Sequence, residues 1–90
     1  MISKKVTVKN PTGLHLRPAG IFCDTAMKFG CHVTFKYRND SEANAKSVLS
    51  VLGACIRNGD KIEICCDGED EEEALRTLID LVEGGFGEKV

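Results

Sequence analysis

The segment Gly13-Leu14-His15-Leu16-Arg17-Pro18-Ala19 gathers the residues of this chain best suited to do chemistry. Imidazole nitrogen is a nucleophile, and a turn leading into Pro18 places His15 where a helix begins. The partnerless amides of a helix's first turn, together with the positive end of its dipole, favour an anion beside such a ring. Arg17 adds a planar guanidinium able to hold phosphate oxygens in pairs. Nucleophile, anion cradle and guanidinium are the minimum set for accepting a phosphoryl group. Spacing alone does not decide the matter, because a histidine at a helix start is more often a solvated cap and an arginine beside it a surface charge.

Other candidates are weaker. Ser47 stands where a short helix could begin and has the hydroxyl of an N-cap. The five cysteines are odd in number and irregularly spaced, with no C-x-x-C and no histidine at ligand spacing. No metal site is expected, and the thiols are read as buried and inert. The same missing C-x-x-C argues against a thiol-redox module. His32 falls on the polar side of a strand and is read as incidental.

The elements that must position these residues follow from periodicity. Residues 2–9 alternate with Val6 and Val8 on one face, and Asn10-Pro11-Thr12-Gly13 turns the chain. Ala19, Phe22, Ala26 and Phe29 then recur at helical spacing, with Gly30 as the stop. From Cys31 the period becomes two, with Val33, Phe35 and Tyr37 inward and His32, Thr34, Lys36 and Arg38 toward water. A turn at residues 38–41 leads to a short edge strand at 42–45. The helix behind Ser47 is expected to carry Val48, Leu52 and Cys55 along one side. Residues 61–66 alternate again, and a last helix, capped by Asp70 with Glu73 three residues on, has a core stripe of Leu75, Leu78, Ile79 and Val82. The order βαββαβα predicts an α+β open-faced sandwich, a four-stranded antiparallel sheet with three helices on one face.

Composition bounds the answer. Ninety residues with 42% hydrophobic and 29% charged residues make one small soluble domain over residues 1–90, without room for a deep enclosed pocket. Residues 1–46 hold 8 basic and 3 acidic side chains, against 4 and 11 in residues 47–90. A net charge of −2 with no basic run interleaved by aromatics argues against nucleic-acid binding. No stretch approaches the roughly 20 apolar residues of a membrane span, and no signal peptide precedes the first strand. A reduced, cytoplasmic protein is expected.

The segment around His15 resembles the active-site signature of HPr, the histidine phosphocarrier family of the bacterial sugar phosphotransferase system. Lys46-Ser47-Val48-Leu49-Ser50-Val51-Leu52 is similar to that family's regulatory-serine signature, and Gly85-Phe86-Gly87-Glu88 to the tail of its Gram-positive branch. The resemblance implies that His15 accepts a phosphoryl group on Nδ1 from phospho-Enzyme I and passes it to IIA domains of sugar permeases, with Arg17 stabilising it. It implies no cofactor and no catalysis of the chain's own. It further implies phosphorylation of Ser47 by HPr kinase/phosphorylase, with a catabolite control protein as reader. The docking face of an expected monomer is read from apolar residues beside the site, Leu16 and Leu49 with Gly20, Val48, Leu52 and Met27, while the spacing of Val48 and Leu52 also fits the core. Leu16 stands where a smaller residue is usual, Ser50 where glycine is common, Asp24 adds an acid to the first helix, and the turn at 38–41 is one residue longer. A paralogous carrier of a nitrogen-related or purely regulatory branch is the alternative. Regulatory relatives lose the active histidine, which is present here.

Overall fold

The computed structural model describes residues 1–88. Strand β1 (Ile2–Thr7) leads into helix α1 (Leu16–Met27). Strands β2 (His32–Tyr37) and β3 (Ser41–Asn44) form a hairpin, followed by helix α2 (Val48–Gly53). Strand β4 (Lys61–Asp67) and helix α3 (Glu71–Glu83) complete the βαββαβα order, and a 3-10 turn spans Gly85–Gly87. The sheet runs β1-β4-β2-β3 with every neighbour antiparallel. The three helices lie on one face, making the expected open-faced α+β sandwich.

The alternation read from the sequence sets which face is buried. Val6 pairs with Ile62 and Phe35 with Ile64, and all four side chains enter the core. Phe22 of α1 meets Phe35 edge-on at 5.8 Å and Phe86 at 6.3 Å, so sheet, helix and C-terminal segment share one aromatic contact. From α3 come Ala74, Leu78, Ile79 and Val82, while Leu75 is half-buried at the edge of the stripe. Each fully buried large side chain of this kind stabilises the fold by about 1.5–3 kcal/mol.

Several boundaries differ from the sequence expectation, each for a local reason. Strand β1 stops at Thr7 because the amide of Val8 donates to the Asp60 carbonyl and its carbonyl accepts from Gly59, outside the ladder. Helix α1 stops at Met27 with Lys28 as cap, so Phe29 packs from a turn and Gly30 lies beyond the cap. The box expected from Asp70 and Glu73 is not formed. Asp70 instead accepts from the amides of Gly30 (2.8 Å) and Cys31 (3.0 Å), tying α3 to the loop before β2. Glu71 takes the reaching-back role, accepting from the Gly68 amide at 3.1 Å. These amides hold both carboxyls below their ordinary range, Asp70 chiefly through Gly30 and Glu71 chiefly through Gly68.

The largest correction concerns α2. Its buried side is Val51 with the cap residue Ala54, not Val48, Leu52 and Cys55. Val48 is exposed, Leu52 half-buried, and Cys55 leaves the helix at φ 54 with its thiol side exposed. The guanidinium of Arg38 closes this end of α2, donating to the carbonyls of Ala54 and, at 3.3 Å, Cys55. Arg38 also pairs with Asp60 at 3.7 Å.

Candidate functional site

The turn before α1 is built without slack. Gly13 sits at φ +64, and a Cβ there would lie 2.4 Å from the Ile56 carbonyl oxygen and 2.7 Å from the Arg57 Cα, both backbone atoms. Only glycine permits this approach. It lets the Leu14 amide donate to the Ile56 carbonyl at 3.0 Å, and Leu14 is buried as an anchor. The next residue, His15, is then thrust outward.

His15 is exposed and is the N-cap residue of α1, with extended backbone at φ −82 and ψ −172. Its carbonyl accepts the first helical bond, from Ala19 at 2.8 Å, while its side chain makes no capping bond. The helix's first turn carries no acidic residue, so nothing on it offsets the dipole beside the ring. Arg17 is exposed in that same turn and forms no ion pair within 4 Å among the described residues. Pro18 is buried at the third helical position, where its missing amide costs nothing. Imidazole, free first-turn amides and guanidinium therefore share one exposed end of α1, an arrangement open enough to enter a larger protein.

One neighbour was not foreseen. The carboxylate of Glu88 accepts from Asn10 Nδ2 at 2.9 Å and from Thr12 Oγ1 at 2.9 Å, fastening the C-terminal segment to the turn that precedes His15. Asn10 is wholly buried and also donates to the Gly13 carbonyl at 2.7 Å. Asn58 Nδ2 donates in turn to the backbone carbonyls of Lys9 (2.7 Å) and Asn10 (3.0 Å). Hydrogen bonds from Asn10, then Thr12, hold the Glu88 carboxyl below its ordinary range, and the charge of Arg17 adds to them. These partners are 76 to 78 residues apart in sequence, and no local signal joins them.

The second candidate region adjoins the first through the packing of α1 on α2. Ser47 is half-buried and is the N-cap of α2, its Oγ accepting from the Ser50 amide at 3.3 Å. Leu16 is 66% exposed, Leu49 78% and Met27 62%, large values for apolar side chains, with Val48 at 37%. Gly20 has no heavy atom within 4 Å of where a Cβ would stand, leaving the α1 surface there open. Leu52 packs partly against the core. Burial pushes the Cys66 thiol up to about 12 and raises those of Cys31 and Cys65. His32 is exposed at the start of β2, and no three metal-ligating side chains converge among the described residues. No helix among them is long and apolar enough to cross a membrane.

The fold and the helix-start site define a class, the small α+β sandwich that displays a histidine and an arginine at the opening of its first helix. Residues 2–84 match the family model described as the phosphorylation site of the phosphotransferase-system HPr component. The phosphocarrier protein HPr of Neisseria meningitidis is 39% identical over 98% of both chains. A crystal structure of HPr from Thermoanaerobacter tengcongensis superposes with a TM-score of 0.95 at 37% identity over the whole of both chains. A crystal structure of the Bacillus subtilis catabolite-repression protein Crh, a dimer with a swapped domain, gives 0.75 at 33% identity over 94% of this chain and 97% of that one. The chain belongs to the HPr family of phosphocarriers.

Proposed function

We propose that this protein accepts a phosphoryl group on His15 from phospho-Enzyme I and delivers it to IIA domains of sugar permeases. The observation that carries the reading is the exposed imidazole at a helix start whose first-turn amides its own side chain leaves unused. In the transfer, the bond from the donor to phosphorus breaks as a bond from Nδ1 to phosphorus forms. Arg17 and the first-turn amides hold the phosphoryl oxygens as their charge spreads. The cradle is open to solvent, so the phosphoryl group remains transferable. The protein is a carrier consumed and regenerated by the enzymes it meets, and it needs no cofactor.

Docking is assigned to Leu16, Gly20, Val48, Leu49 and Leu52, with the protein acting as a cytoplasmic monomer folded as one domain. Ser47 is assigned as a regulatory phosphorylation site of HPr kinase/phosphorylase, read by a catabolite control protein. Its hydroxyl caps the short helix that carries the exposed Leu49, so added negative charge would fall beside the assigned docking residues of that helix. The similarity to Crh keeps a regulatory paralogue as the second reading, and the presence of His15 favours the carrier.

Incubation with phosphoenolpyruvate and Enzyme I should give one acid-labile, base-stable label, absent in His15→Ala. Arg17→Ala should keep the labelling site and slow transfer by roughly tenfold or more. Label retained by His15→Ala would sink the assignment. With ATP and HPr kinase, an acid-stable label should appear and vanish in Ser47→Ala, and its persistence there would refute the regulatory role.

A further inference from the structure

The sheet face that carries no helix bears a second concentration of charge. Lys5, Glu63, Lys36 and Glu42 lie in one cross-strand row, since Glu63 pairs with both lysines and Lys36 also with Glu42, and alternation sends all four away from the core. Lys61 occupies the next row of β4 on the same face, opposite Thr7. This register invites ion pairs between Glu63 and its two lysine neighbours. They are not made. The Glu63 carboxylate accepts instead from Ser3 Oγ at 2.8 Å, one row away. None of the three lysines has a carboxylate within 4 Å among the described residues.

Lys5, Lys36 and Lys61, together with Glu63, line a shallow concavity of about 260 Å³ between β4 and the β2–β3 hairpin, with Tyr37 at one side and Asp40 at the hairpin tip. Lys5 and Lys61 also line the adjoining hollow at the sheet edge, together with Lys9 and Glu83. Arg38 borders the first hollow, but its guanidinium is committed to α2 and Asp60. Two strand spacings separate the backbones of Lys5 and Lys36 by roughly 10 Å. Two long, flexible stems can close that gap around one anion, with Lys61 reaching it from the next row.

We infer that Lys5, Lys36 and Lys61 form a binding site for a compact multivalent phosphate, a diphosphate or a small organic bisphosphate, on the face opposite the helices. A single phosphate can engage one or two of these groups. A ligand with two phosphates engages all three, which is where selectivity over simple anions arises. Because the lysines project from the uncovered face, the site is separate from His15. Its failure would leave the carrier reading untouched, and failure of the carrier reading would leave this site untouched.

The test is a titration of the full chain with inorganic diphosphate, followed by amide NMR shifts and calorimetry, with sodium sulfate at equal ionic strength alongside. Saturable shifts are expected on β1, β4 and β2 around Lys5, Lys61 and Lys36, with sulfate at least tenfold weaker. A Lys5→Gln/Lys36→Gln double variant should weaken binding tenfold or more while keeping its urea midpoint. Lys4→Gln, on the helix side of β1 opposite Ile64, should leave it unchanged, as should His15→Ala. Shifts confined to the opening of α1, a response that never saturates, or equal responses to diphosphate and sulfate would overturn the site. So would stronger capture by phosphatidylglycerol vesicles that diphosphate does not compete away, which would mark a lipid surface instead of a soluble phosphate.

Discussion

At the scale of single residues, Asn10 does more than its place in a turn suggests. It is the hub that holds the Gly13 carbonyl on one side and the Glu88 carboxylate on the other. Its Oδ1 is buried without a hydrogen-bond partner among the described residues, so the contacts that the two N–H groups of Nδ2 share among Gly13, Glu88 and Thr12 offset an unsatisfied acceptor. Asn10→Ala removes the foremost hydrogen bond that depresses Glu88. The Glu88 titration, followed by carboxyl NMR, should rise toward the ordinary glutamate value. The stability linkage has a definite sign. A carboxyl depressed by folding stabilises the native state above its unfolded value, and this contribution disappears as pH falls through the lower folded value. The stability advantage of the wild type over Asn10→Ala in urea should therefore narrow in acid. An unchanged Glu88 titration in the variant would show that Thr12 and Arg17 suffice.

At the scale of elements, Arg38 shows how a short helix is finished. Six residues leave α2 with few internal bonds, so its termini matter disproportionately. Ser47 serves one end and the Arg38 guanidinium the other. The arginine is about half exposed, and solvent screening limits its value. Arg38→Ala should cost about 1 kcal/mol in urea unfolding, with Arg38→Lys recovering little because lysine lacks the planar fork. Equal stability of Arg38→Ala and wild type would refute the capping role. Arg38 was read from the alternation of β2 simply as facing water, and the alternation cannot say where a long side chain ends. The same shortness explains why the packed side of α2 was misread. Val48, Leu52 and Cys55 fit a helical stripe, yet so do Val51 and Ala54, and six residues hold too few turns to choose. The long amphipathic α3 was legible because its stripe repeats through three turns. The site itself was legible in part, since Gly13, His15, Arg17 and Pro18 carry their chemistry in a local order. The Asn10–Glu88 clasp joins distant segments, and the Glu63–Ser3 bond overrides a charge pattern that the register alone would predict.

At the scale of the whole molecule, ninety residues spend their packing on one side of one sheet. The core is closed by Phe22, Phe35 and Phe86, which leaves the outer rims of α1 and α2 free of stabilising duty. That division makes exposed apolar side chains tolerable in so small a domain, because Leu16 and Leu49 can face outward without opening the core. It also makes docking and stability separable by mutation. Leu49→Glu should change unfolding free energy by no more than about 0.5 kcal/mol, as expected for an exposed position. On the proposed docking face, the same charge would have to be buried against an apolar partner surface. The KM for phosphoryl transfer from Enzyme I should then rise about tenfold or more, corresponding to at least roughly 1.4 kcal/mol of lost association. The turnover number should change little, because the imidazole and guanidinium stand on α1 and not on α2. A fall in turnover at constant KM would place Leu49 outside the contact and make its effect on His15 an indirect one.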